Sequence, residues 1–148
     1  MSTSPQLAPS AVQAAQQVRT IISRLRRRIL SAAETEDITL GQASALAHLT
    51  GSPGVTASEL AAAEGVRHQS MTSTIAALAA LGLVQRRPDP HDGRRQLVSL
   101  TDAGHRRVEE GRQLRGEWLT GRLQERCTED ERQLVIAAMS VLERLIHD

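Results

Sequence analysis

The stretch Leu83-Val84-Gln85-Arg86-Arg87-Pro88-Asp89-Pro90-His91-Asp92-Gly93-Arg94-Arg95-Gln96-Leu97-Val98-Ser99-Leu100-Thr101-Asp102-Ala103-Gly104 decides the fold. Two β-type runs frame it, one leading from Leu83 to Arg87 and one in which Gln96 to Leu100 resumes alternation. Pro88 and Pro90 lack the amide donor that a ladder needs, and Asp92-Gly93 supplies turn chemistry. The middle therefore predicts a projecting, irregular hairpin loop. Arg94 and Arg95 follow the turn at once, which puts guanidinium groups at its tip.

Immediately upstream, His68 to Leu81 reads as a small-residue helix with Met71, Ile75, Leu78 and Leu81 at helical spacing. Before it, Thr56 and Glu59 form a capping box that Val55 and Leu60 can staple, opening a helix to about Glu64 with Gly65 as its stop. Two short helices joined this tightly have helix-turn-helix spacing, the second being the recognition helix. With a charged hairpin behind them they predict a winged helix-turn-helix, an architecture that binds duplex DNA.

Ile38-Thr39-Leu40-Gly41-Gln42 reads as another capping box, opening a short helix through Leu49. Met1 to Pro9 is Ser/Pro-rich and reads as a disordered tail, after which Ser10 can cap a helix with Val12, Ala15, Val18, Ile22, Leu25 and Ile29 in one stripe. Arg19, Arg24, Arg26, Arg27 and Arg28 fill its other face, either as phosphate contacts or as a solvated charged face. Thr101 caps a long helix to about Arg126, and Thr128 to Glu131 caps a last one to about His147, striped by Leu134, Val135, Ala138, Met139, Leu142 and Leu145. Gly104, Gly111, Gly116 and Gly121 each cost that long helix ~1 kcal/mol relative to Ala, so packing must stabilise it. The outer helices carry more apolar face than the small central domain can cover, which predicts a homodimer. The expected organisation is mainly α with a small β-hairpin wing: a tail over 1–9, dimerisation helices over 10–33 and 102–148, and a winged helix-turn-helix over 38–101.

Composition narrows the function. Net charge is only +1, so the placement of charge matters more than its sum. All 18 basic residues are Arg, which suits planar phosphate contacts and equally reflects codon bias. Trp118 is the lone aromatic, so the stacking platforms of single-strand binders cannot be built, whereas duplex binding survives. No run approaches the ~18 apolar residues of a membrane span, no secretory signal opens the sequence, and one Cys suits a reducing compartment. A cytoplasmic protein is expected, without membrane contact.

The order of elements, and above all the wing followed by Leu100-Thr101-Asp102-Ala103-Gly104, resembles the MarR family of bacterial transcriptional regulators, over nearly the whole chain from Ser10 onward. The resemblance implies a pyramidal dimer on pseudo-palindromic operator DNA, a repressor role, and release by a small aromatic or anionic effector in the cleft between dimer helices and DNA-binding lobe. By position it places Gln69, Ser70, Thr72 and Ser73 on the recognition helix toward DNA. Ser73 stands where the family often has Arg, which shifts the burden to Arg67, His68 and the wing. The resemblance also implies that Arg94 enters the minor groove while Asp92 holds its guanidinium. Arg95, Arg86 and Arg87 alternate in facing, so only some of them can reach phosphate, and Arg95 is the one expected among the DNA contacts.

Leu25, His48, Leu114 and Trp118 could border an effector cleft, although helical hydrophobes are more often core. The five His form no close pair and Cys127 stands apart, so neither a metal nor a cofactor is expected. Cys127 beside Arg126 leaves open a redox-responsive regulator. A winged helix used only for protein contacts is the other alternative, opposed by Arg94 at the hairpin tip. No glycine-flanked nucleophile, phosphate loop or metal motif suggests an enzyme.

Overall fold

The computed structural model describes residues 7–35 and 37–147, so most of the expected disordered tail lies outside the described residues. Six helices and one hairpin follow in the order α1 (Pro9–Ser31), α2 (Leu40–His48), α3 (Ala57–Glu64), α4 (His68–Ala80), β1 (Val84–Pro88), β2 (Gln96–Leu100), α5 (Asp102–Arg126) and α6 (Glu129–Glu143). Among the described residues no helix is long and apolar enough to cross a membrane.

The helix starts follow local chemistry. Thr39 with Gln42, Thr56 with Glu59, and Thr128 with Glu131 each form reciprocal capping boxes, and the Thr101 hydroxyl accepts the Gly104 N–H at 3.0 Å. α1 differs from expectation. Its cap is Ala8, with no side-chain bond, because Pro9 at the first helical position carries the helical φ itself and starts the helix before Ser10. Two ends also differ. α4 stops at Ala80, leaving Leu81 exposed as its C-cap, and α6 stops at Glu143 rather than near His147. Gly65 takes a left-handed φ of 67°, which ends α3 and allows the tight turn into α4.

The core belongs to the central lobe. Leu46, Leu49, Leu60, Ile75, Leu78 and Val98 are fully buried, with Met71, Leu83, Val84 and Leu100 around them. Each such side chain contributes about 1.5 to 3 kcal/mol through burial. α1 and α6 bury no residue at all, and α6 has no substantial packing partner among the described elements.

β1 and β2 pair antiparallel from Val84 opposite Leu100 to Pro88 opposite Gln96. Val55 adds a short third rung, donating to the Val98 carbonyl at 3.0 Å and accepting its N–H at 2.7 Å. The wing is thereby tied to the segment that opens α3. The Asp92-Gly93 turn is not a two-residue hairpin loop, since Gly93 has no left-handed φ. The chain instead closes a longer loop in which the Asp89 N–H donates to the Arg95 carbonyl and the Arg95 N–H to the Asp92 carbonyl, both at 2.9 Å.

Candidate nucleic-acid interface

α4 presents two chemically distinct faces. Met71, Ile75 and Leu78 point into the core, while His68, Gln69, Ser70, Thr72 and Ser73 are exposed and Arg67 sits at the N-cap position. No side chain caps α4 and no acid lies in its first turn, so its first amides and positive dipole end face outward, as an anion site requires. The hydroxyls of Thr72, Ser73 and Thr74 donate to the carbonyls of His68, Gln69 and Ser70 at 3.0, 3.3 and 3.1 Å. Their donors are turned inward, which leaves acceptor lone pairs for an incoming base edge.

The wing folds toward this helix. Thr56 to Glu59 at the start of α3, His68 on α4, and Arg94 to Gln96 on the wing line one groove of about 600 Å³. His68, Arg94 and Arg95, far apart in sequence, meet there. A smaller depression of about 230 Å³ joins Arg86 to Thr72. Arg86 is ambiguous in the sequence, yet its register supplies the signal: it pairs with buried Val98, and directly opposed residues share a sheet face. Arg87 lies on the far side, beside Pro53 and Leu97. Sequence reasoning also missed Ser58 and Gln96, whose place in the groove depends on how the hairpin packs.

The charged contacts sort the arginines. Arg67, Arg86, Arg87 and Arg94 make no ion pair among the described residues, whereas Arg95 Nη2 lies 3.0 Å from Glu59 Oε1, with Asp89 Oδ2 at 3.9 Å from Nη1. Backbone and hydroxyl hydrogen bonds from Thr56, then Arg95, hold the Glu59 carboxyl below its usual range. Asp92 differs from expectation. Its Oδ1 accepts the backbone N–H of Arg94 at 3.1 Å, so it shapes the turn, and no ion pair joins it to the Arg94 guanidinium. A short acid two residues before an amide makes this local bond more readily than it reaches the far end of an Arg side chain.

The four residues expected around an effector cleft are not brought together. Only Leu114 lines the cavity of about 320 Å³ between the segment before α2, α2 itself and the first half of α5, where Asp37, Arg107, Glu110 and Arg115 bring charge. Arg107 grips Asp37 with both terminal guanidinium nitrogens, Nη1 also donating to the Thr35 hydroxyl at 3.2 Å, and the Arg107 hydrogen bonds hold the Asp37 carboxyl far below the usual carboxylate range. His48 turns to Glu64, which also accepts from Ser44 at 2.9 Å. Trp118 borders a separate basic depression with Arg28, Arg122 and Arg126, the Arg122 guanidinium lying 5.7 Å from its ring centre. Leu25 lines neither and stays on the exposed stripe of α1. Cys127 is half-buried at the C-cap of α5, and among the described residues no three His, Cys, Asp or Glu gather as a metal set.

Comparison with known proteins agrees with this geometry. The MarR family model matches residues 36–95. An uncharacterised HTH-type transcriptional regulator of Mycobacterium bovis is 36% identical over 127 residues, covering 86% of this chain and 88% of that protein. A crystal structure of a Pseudomonas aeruginosa protein assigned as a transcriptional regulator is 32% identical with a TM-score of 0.79, covering 96% of this chain and 99% of its own. A cysteine-to-serine mutant of MarR from E. coli is 26% identical with a TM-score of 0.76, covering 95% of this chain and 98% of its own. These relatives are regulators rather than enzymes, and the chain belongs to the MarR family of helix-turn-helix transcriptional regulators.

Proposed function

We propose that the chain works in the cytoplasm as a homodimeric repressor that binds pseudo-palindromic duplex DNA, with α4 in the major groove and the wing over the adjacent minor groove. The single observation that carries this reading is the groove that gathers His68, Arg94 and the exposed start of α4 on one side of the lobe. Phosphates would meet the free amides of α4, Arg67 and Arg86; bases would meet Gln69, Ser70, Thr72 and Ser73. The uncovered stripes of α1 and α6, including Ile21, Ile22, Leu134 and Met139, support a second copy as their cover. A small anionic effector in the cavity beside Asp37 and Arg107 would act on the junction between the dimer helices and the lobe.

Footprinting on the DNA flanking the gene tests this reading. A dimer predicts two half-sites centred ~10 base pairs apart, with affinity falling steeply as salt rises. A single half-site, or binding indifferent to salt, contradicts it.

A further inference from the structure

We propose that Arg95 is a positioning residue that fastens the wing to the helix-turn-helix through Glu59, fixing where Arg94 meets DNA without itself contacting phosphate. The inference rests on the reading of the wing as a DNA contact. Arg95 is held at every end. Its N–H donates to the Asp92 carbonyl and its carbonyl accepts the Asp89 N–H, while its guanidinium donates to Glu59 Oε1 at 3.0 Å. Glu59 is equally constrained: its Oε2 accepts the Thr56 N–H at 2.8 Å, and its own N–H donates to the Thr56 hydroxyl at 3.2 Å. An ordinary surface ion pair is weak because ordering two long side chains offsets the attraction. Here the capping box has already ordered the carboxylate, so closing the bond restricts little that is not restricted already.

The bond also sits where the wing needs it. No residue from Pro90 to Gln96 is buried, and the last rung joining the hairpin to the lobe is Val55 with Val98. Beyond that rung, the Arg95 guanidinium on Glu59 is the side-chain hydrogen bond that ties the tip to α3 among the described residues. Arg94 is the adjacent residue, makes no ion pair among the described residues, and opens onto the same groove as His68. A hinge at Arg95 would therefore move Arg94 relative to α4.

The inference predicts an effect of unusual sign. Glu59 is an acid in a groove assigned to a polyanion, so electrostatics alone predicts that neutralising it strengthens DNA binding. As a wing anchor, its neutralisation weakens binding instead. Glu59→Gln separates the roles, because a glutamine carbonyl still serves the capping box but offers Arg95 no second carboxylate oxygen.

The experiment measures fluorescence anisotropy across a salt series, on a duplex selected from random-sequence DNA by the wild-type protein. Glu59→Gln and Arg95→Ala should each weaken binding about three- to tenfold, and the double variant should be no worse than either single one. Their salt slopes should match wild type, whereas Arg94→Ala should lower the slope by about one. Arg95→Lys should recover part of the loss, but only when Glu59 is present. Tighter or unchanged binding by Glu59→Gln overturns the proposal, as do additive losses with a reduced slope for Arg95→Ala, which would make Arg95 a phosphate contact. If Arg94→Ala loses affinity while Glu59→Gln does not, only this proposal fails; if Arg94→Ala also binds like wild type, the wing reading falls with it.

Discussion

Gly104 packs so closely against Leu83 that a β-carbon at position 104 would overlap the Leu83 carbonyl oxygen and come within 3.2 Å of Leu100 Cδ2. That same carbonyl accepts the Thr101 N–H at 3.1 Å, and the Thr101 hydroxyl donates to the Gly82 carbonyl at 2.6 Å. The first turn of α5 is thus stitched onto the link between α4 and β1. Gly104→Ala should lower stability by about 3 kcal/mol despite the better helix propensity of Ala, since backbone must move to admit the methyl group. Gly116→Ala, with nothing within 4 Å of its β-carbon, should instead raise stability by up to ~1 kcal/mol. Urea midpoints at one protein concentration compare them, and a Gly104→Ala protein as stable as wild type refutes the close-packing account.

Arg94→Ala should weaken operator binding by roughly 1 to 3 kcal/mol with little change in melting temperature, because its guanidinium makes no ion pair among the described residues. Arg94→Lys should recover part of the loss, since a point charge lacks the planar fork. Asp92→Ala should be milder and Asp92→Asn milder still, as an Asn carbonyl can keep the bond to the Arg94 N–H. Arg144→Ala, at the end of α6, is the distal control. Equal affinities for Arg94→Ala and wild type would revive the reading of the wing as a protein contact.

The chain should sediment at micromolar concentration with twice its chain mass. Met139→Glu, on the exposed stripe of α6, should shift it toward monomer by placing an unpaired charge in the interface. A folded wild-type monomer insensitive to dilution would remove the dimer from the proposed mechanism.

The Asp37 and Arg107 pair predicts an acid-sensitive junction. Arg107 lowers the folded carboxyl below its ordinary value of 3.8, so its stabilising effect is present above about that pH and is lost as pH falls through the lower folded value. Asp37→Asn should therefore unfold at lower urea than wild type at pH near 7, and the gap should narrow progressively as pH falls below about 4. A gap that is constant over this range would show that the pair does not stabilise the fold.

Much of the architecture is legible in the sequence because its determinants are local. Thr39, Thr56, Thr101 and Thr128 set helix starts through bonds spanning three residues, and the Met71, Ile75 and Leu78 spacing names the buried face of α4. Leu83 to Gly104 likewise contains the wing, the cap of α5 and the glycine that lets α5 approach. The start of α1 departs from the expected Ser10 cap because Ser10 is a good cap by type, while Pro9 one residue earlier already holds a helical φ.

What only the tertiary structure decided was which side chains meet. Arg94 and Arg95 are adjacent and chemically identical, yet one makes no ion pair among the described residues and the other is bonded to Glu59, a residue 36 positions away. His48 and Leu114 both suggest a cleft by sequence, but Glu64 holds the first and only the second lines the cavity. Helical and strand periodicity assign a residue to a face of its own element. The partner across that face depends on how elements pack, and packing is set by the whole core, with its long-range contacts, rather than by any local run of residues.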